Sequence, residues 1–168
     1  MDWALHIAIA VIIGVFIVQF IARPTFVDGV SMHPTLHSGD VMLMEKLTKR
    51  FGKLKREDIV VAYIPEFLTD NRKRVIKRVI AVEGDHLEIA GGGVYVNNKR
   101  VVEDYVHGDA TYSVQKYSDY TVPKGHVFIM GDNRDKSSDS REFGPVKLER
   151  IEGKVILRLF PFNRFGTP

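Results

Sequence analysis

From Trp3 to Ala22 the chain is apolar at nearly every position, WALHIAIAVIIGVFIVQFIA, with His6 and Gln19 near the two ends. A helix of that length spans about 30 Å, the thickness of a bilayer's hydrocarbon core. Trp3 suits a headgroup-level anchor. The stretch reads as a retained transmembrane helix. A cleaved leader would open on basic residues and carry a shorter apolar run, and Phe20 and Ala22 make a poor small-x-small cut site. Pro24 biases Arg23 away from helical angles, so the helix is expected to end there. Only Asp2 and the amino terminus precede the span, and a large following domain can cross whatever its charge, so the pattern leaves the orientation open.

Beyond Arg23 the pattern is that of strands broken by turns, with little sign of long amphipathic helices. Val41 to Met44, Ile59 to Ile64, Val75 to Val82, Val127 to Met130 and Lys154 to Phe160 are the expected strands. Pro65 and Glu83-Gly84-Asp85 close two of them. Val94-Tyr95-Val96 and Arg100-Val101-Val102 flank Asn97-Asn98 as a hairpin. Lys46 to Arg56 and Glu66 to Arg72 read as loops, and Val106 to Pro123 as polar and irregular. The stretch from about His86 to Gly125 looks like an insertion between two core blocks. The expected organisation is therefore a transmembrane helix over 3–22 and a mainly β domain over 23–168.

Composition sharpens this division. All 24 Lys and Arg lie from Arg23 onward, so the first 22 residues and the rest are chemically different bodies. An apolar content of 45% argues against general disorder. The absence of cysteine excludes disulfides, thiolate zinc sites and a cysteine nucleophile. A net charge of +3 suggests acidic neighbours, either phospholipid headgroups or nucleic acid.

Three stretches are candidates for chemistry. In Asp28-Gly29-Val30-Ser31-Met32-His33-Pro34-Thr35-Leu36, glycine and proline flank a serine, a turn that can present a nucleophilic hydroxyl. An ordinary turn has the same composition. The near-match to G-x-S-x-G fails because His33 replaces the second glycine and the chain is too strand-rich for an α/β-hydrolase. Arg72-Lys73-Arg74-Val75-Ile76-Lys77-Arg78 is the densest basic run, and it lacks the aromatic residues that stack bases. At period two Lys77 shares a face with Val75, Val79 and Ala81, where desolvation favours the neutral amine that a lysine base needs. Arg78 also has apolar same-face neighbours, so this argument nominates Lys77 without isolating it. The third stretch, GDNRDKSSDSR from Gly131 to Arg141, reads as a hydrophilic loop or as a packed network in which Asp139 holds Arg141. Its spacing fails the calcium-loop pattern, and His33-x-x-x-His37 contains a proline and lacks the glutamate of a zinc-protease helix.

Taken in order, Ser31-Met32-x-Pro34-Thr35-Leu36, Lys77-Arg78 with Gly84-Asp85, and Gly131-Asp132-Asn133-Arg134 through Asp139-Ser140-Arg141 resemble the sequence boxes of the type I signal peptidases. The preceding span and the closing Leu159-Phe160-Pro161-Phe162 are also similar to that family, in the form common in Gram-positive bacteria. The resemblance implies a β-rich catalytic domain on the outer face of the cell membrane, behind one membrane-spanning helix. It implies Ser31 as nucleophile, Lys77 as general base, and Ser137, Asp139 and Arg141 in support. Val27, Met32, Leu36, Val75 and Ile76 would line pockets for small side chains. Some members carry a serine two residues before the nucleophile, where this chain has Gly29. The oxyanion hole would therefore rest on the Ser31 amide and the Gly29 backbone. Neither cofactor nor metal is implied. The implied partners are signal-peptide-bearing preproteins, membrane phospholipid and the secretion machinery, with no nucleic acid. Two other readings stand beside this one: a self-cleaving Ser/Lys peptidase of the repressor type, and a non-enzymatic membrane-anchored β-domain.

Overall fold

The computed structural model describes residues 3–48, 54–65, 73–108 and 110–168. Residues 49–53 of the expected basic loop, and all of the expected loop from Glu66 to Arg72, lie outside these. Helix α1 (Trp3–Phe16) runs directly into a π-helical turn, Ile17–Ile21, and none of its residues is buried. The 19 residues Trp3–Ile21 are long and apolar enough to cross a membrane. Ala22 is already extended, with φ −154° and ψ 149°, so the helix stops there and strand β1 (Ala22–Phe26) begins at once. Arg23-Pro24, expected to terminate the helix, instead lies inside this strand. The strand is the outer one of its sheet, where a proline's missing N–H costs no ladder bond.

The protein is mainly β. Strands β2 (Val41–Glu45), β3 (Ile59–Tyr63), β4 (Arg74–Val82), β9 (His126–Met130), β10 (Val146–Lys147) and β11 (Ile151–Phe160) join β1 in a sheet ordered β1-β2-β11-β3-β4-β9-β10. A second sheet, ordered β7-β6-β5-β8, is built from β5 (His86–Ala90), β6 (Gly93–Val96), β7 (Lys99–Arg100) and β8 (Asp119–Thr121). All these strand pairs are antiparallel. Asn97 and Asn98 take positive φ, 52° and 62°, in the turn between β6 and β7. Asparagine tolerates that conformation and makes a tight hairpin there.

The apolar strands expected from the pattern are present, and the low-contrast ones were missed. Strands β1, β8 and β10 are short or polar and lie on sheet edges, where little burial marks their sequence. In β5, His86 and Glu88 hide the inward-facing Leu87 and Ile89. The hairpin's second arm stops at Arg100 instead of reaching Val102, and β11 starts at Ile151, three residues before Lys154.

Ile80, Ala81, Phe128 and Met130 of the first sheet pack against Leu87, Ile89, Val94 and Val96 of the second. A different cluster gathers Val27, Met32 and Leu36 with Met42, Met44, Ile59, Val61 and Val155. Leu36 is wholly buried in it, so this side chain, expected in a substrate pocket, is a core residue. Burying it contributes about 2 kcal/mol, which anchors the far end of the Ser31 turn to the sheet.

Candidate active site

Strand β1 delivers the chain from the end of the helix to the Ser31 turn. The turn is closed by His33 N–H on the Val30 carbonyl (3.1 Å) and Leu36 N–H on the Met32 carbonyl (2.8 Å). Gly29 has φ 97°, a backbone in which a side chain would be strained. A glycine at this position therefore follows from the turn itself. The Gly29 amide points at Ser38 Oγ (3.4 Å), whereas the Ser31 amide has no acceptor among the described residues. Of the two expected oxyanion donors, Ser31 is the open one.

Lys77 reaches Ser31 from the middle of β4. Its Nζ lies 2.7 Å from Ser31 Oγ, and the residue is only 3% exposed. Arg78, which the sequence could not separate from it, is occupied elsewhere. Its guanidinium grips Asp132 through two bonds of 2.9 and 2.7 Å, donates to the Glu57 carbonyl (3.1 Å) and lies 4.0 Å from the centre of the Tyr105 ring. Burial, with the Glu103 carboxylate second, pushes the Tyr105 phenol well above its ordinary range. The expected alternation on β4 holds only as far as Val79, because a register shift between Val79 and Ala81 ends it.

The stretch from Gly131 to Arg141 is a packed network at both ends, with Asp135, Lys136 and Ser138 exposed between them. Asp132, Asn133, Arg134, Asp139, Ser140 and Arg141 are all buried. Asp139 is fully enclosed, and its carboxylate accepts from Ser137 Oγ (2.6 Å), Gly131 N (3.0 Å) and Arg141 Nε and Nη2 (2.8 and 2.9 Å). A buried carboxylate needs such partners, because an unpaired charge in an apolar interior costs several kcal/mol. The network continues to the Ser31 turn. Asn133 N–H donates to the Ser31 carbonyl (3.0 Å), and Thr35 Oγ1 donates to Asp132 (2.5 Å). The Ser31 turn is thus pinned at both ends by the 131–141 segment.

A cavity of about 330 Å³ opens beside Ser31 and Lys77. Val27, Met32, Val75 and Ile76 line it as expected, and Leu36 does not. Phe26, Asp28, Val30, Arg74, Lys136 and Ser138 line it as well; all but Phe26 lie within the three stretches singled out above, though none was expected in the pocket. Strand β3 pairs with all of Arg74 to Arg78, but β9 joins the other side of β4 only at Arg78. Among the described strands, none therefore pairs with the other edge of β4 from Arg74 to Ile76, beside the cavity. A second cavity, of about 170 Å³ between Arg56 and Tyr105, touches neither Ser31 nor Lys77. His33 and His37 stack edge to face at 4.8 Å, and His37 Nδ1 faces Arg164 Nη1 (2.5 Å). Burial first, then that guanidinium, holds the His37 imidazole below its ordinary range.

The family model for signal peptidase, peptidase S26, matches residues 1–160. The chain belongs to this family. It is similar to the mitochondrial ATP-independent inner membrane protease subunit 1a of Arabidopsis thaliana, 42% identical over 89% of this chain and 77% of that protein. Signal peptidase I of Bacillus caldolyticus is 35% identical over 98% of this chain and 92% of its own. A solved signal peptidase I from Enterococcus faecalis V583 is 33% identical, covers 61% of this chain and 96% of that one, and has a TM-score of 0.48. As a signal peptidase the protein is a hydrolase that cleaves signal peptides, which sets aside the non-enzymatic and self-cleaving repressor readings. In this signal peptidase the residues that sequence reasoning missed are mainly those that hold others. Thr35, Gly131, Asp132 and Asn133 position the Ser31 turn, and Arg134 ties the network to Glu103 (2.6 Å) and Thr111 (2.5 Å). All but Thr111 and Glu103 fall inside the boxes already singled out, so membership of a box was the available signal.

Proposed function

We propose that this signal peptidase is a membrane-anchored serine endopeptidase in which Ser31 is the nucleophile and Lys77 the general base. The observation that carries this is the 2.7 Å approach of a buried lysine amine to the hydroxyl of a turn serine beside an open cavity. Neutral Lys77 takes the Ser31 proton as Oγ attacks the scissile carbonyl carbon. The oxyanion that forms is held by the Ser31 N–H. Collapse breaks the C–N bond, and Lys77 returns the proton to the departing amine of the mature protein. Lys77 then takes a proton from water as the water oxygen attacks the ester carbon; the C–Oγ bond breaks, the signal peptide leaves with its new carboxyl group, and Lys77 returns the proton to Ser31 Oγ. Asp139, held by Arg141, accepts from Ser137 and keeps the wall behind the dyad in place.

The substrate docks as an extended segment along the open edge of β4 from Arg74 to Ile76. Val27, Met32, Val75 and Ile76 favour small apolar side chains one and three positions before the cut. Helix Trp3–Ile21 spans the cell membrane once, and the domain from Arg23 onward faces outward, where exported preproteins emerge from the secretion machinery. Phe26 and Phe162, 72% and 80% exposed, stand at the cavity end of the sheet with Phe160 and Phe165 and meet phospholipid.

The full-length protein in detergent is expected to cut a preprotein after a small-x-small motif. Ser31→Ala should lower kcat/KM at least about 10³-fold. Protease added to intact spheroplasts should digest the β-domain while a cytoplasmic marker survives. Equal rates for wild type and Ser31→Ala, or efficient cutting after lysine or phenylalanine, would defeat the site assignment. Protection of the domain would reverse the orientation.

A further inference from the structure

The last turn of a helix leaves carbonyls without internal donors, and in an apolar environment each is costly. At the end of the apolar helix one residue of the catalytic domain meets most of them. Lys46, immediately after β2, donates from Nζ to the Val18 carbonyl (3.0 Å) and the Gln19 carbonyl (2.8 Å), and its backbone N–H donates to the Ile21 carbonyl (2.8 Å). Ala22 N–H takes the Ile17 carbonyl. A cation at the negative end of the helix dipole is favourable in its own right.

No linker separates helix from sheet. Ala22 is both the residue that caps the π-turn and the first of β1, paired with Glu45 beside Lys46. From there β1 runs to Phe26, where the wall of the cavity begins. A second tie crosses the same junction. Arg23 pairs with Glu152 of β11, and Glu152 also accepts from Nε of the cavity-lining Arg74 (2.8 Å).

We infer that Lys46 is a positioning residue that clasps the membrane helix rigidly to the catalytic sheet and so sets where the cavity lies relative to the bilayer. Lys46 touches no reacting atom. Its effect is confined to substrates that are themselves held in the membrane, because only for these does the height of Ser31 decide whether the scissile bond reaches it. The inference rests on the membrane-anchored reading above.

The test compares two substrates cut by the full chain in phospholipid vesicles: a soluble small-x-small peptide, and a preprotein whose signal segment sits in the same bilayer. Lys46→Met removes the donors while keeping a long side chain. It should raise KM or lower kcat for the membrane-held preprotein about tenfold and leave the soluble peptide within about twofold. Lys46→Arg, which can still donate to both carbonyls, should restore the preprotein rate. Inserting Gly-Gly between Ile21 and Ala22 loosens the same junction without touching Lys46 and should reproduce the Lys46→Met split. That insertion decides the matter should Lys46→Met fail to fold. Wild-type rates on the preprotein for both variants, or an equal fall on both substrates, would overturn the clasp. A wild type unable to cut even the soluble peptide would instead sink the Ser31/Lys77 reading, and a full chain that stays out of vesicles would sink the anchor.

Discussion

Lys77→Arg is expected to be as inactive as Lys77→Ala, each losing at least about 10³-fold in kcat/KM on a soluble peptide. An unperturbed lysine titrates near 10.4, so at neutral pH almost none of it could accept the Ser31 proton. Two features of the site favour the neutral amine. The residue is 3% exposed, and desolvation disfavours the ammonium. The Asp139 carboxylate is engaged by Arg141, Ser137 and Gly131. Arginine keeps its proton at any working pH, so a positive charge of similar reach cannot substitute. The sign of the pH dependence follows. With Lys77 in the proposed role of base, it would be protonated and idle below its pKa, so activity should rise with pH through an apparent pKa below that of a free lysine. Replacing His33, His37 or His107 should leave that rise in place. An active, correctly folded Lys77→Arg variant would end the dyad, as would a profile that falls across the same range.

Gly131→Ala should cost nearly as much although it adds a single methyl group. A Cβ at this position would lie 2.5 Å from the Ser31 carbonyl oxygen and 2.6 Å from Ser137 Cβ, with Ser137 Oγ closer still. Real Cβ atoms do not approach so near, so something must move. Neither neighbour is free to give. The Ser31 carbonyl is held by Asn133 N–H, and the Ser137 hydroxyl by Asp139. The methyl group therefore pushes the backbone of Ser31 itself. A displacement of about 1 Å costs on the order of 10² in rate, and overpacking costs about 1–3 kcal/mol in stability. For a chain of this size that is a melting shift of about 3–10 °C. The expected measurement is a folded protein with lowered kcat. Gly14→Ala, where an added Cβ meets nothing within 4 Å, serves as the control. Full activity in Gly131→Ala would show that the Ser31 turn is looser than these contacts require.

The roles inside the basic run show where local reading stops. Lys77 and Arg78 are adjacent, both cationic and both flanked by apolar residues, so period and composition treat them alike. They separate only because β9 pairs with β4 from Arg78 onward. That register brings Arg78 to Asp132, while Lys77 stays beside the open edge with Ser31. Leu36 was misassigned for the same reason. Its place in the Ser31 box suggested a pocket, yet the 2.8 Å bond from its N–H to the Met32 carbonyl turns the side chain into the core. For Gly131 to Arg141 the sequence left a hydrophilic loop and a packed network both open, because polarity alone says nothing about pairing; the Arg141–Asp139 pair decides it, and pairing is what allows both side chains to be buried.

By itself the sequence determined the apolar helix, the mainly β character, the main inward-facing strands and the three boxes that resemble signal peptidases. Each is a property of residues near one another along the chain: length against bilayer thickness, alternation at period two, or side-chain types in a fixed local order. Tertiary structure decided what those boxes do to each other. Ser31 and Lys77 are 46 positions apart, and only the strand order and the register of β4 bring them to 2.7 Å. It also decided that helix and β1 meet without a linker under Lys46, since an ammonium 27 residues from the Gln19 carbonyl has no local signature. Contacts between distant segments depend on which strands neighbour each other, and that is set by the burial of the whole sheet.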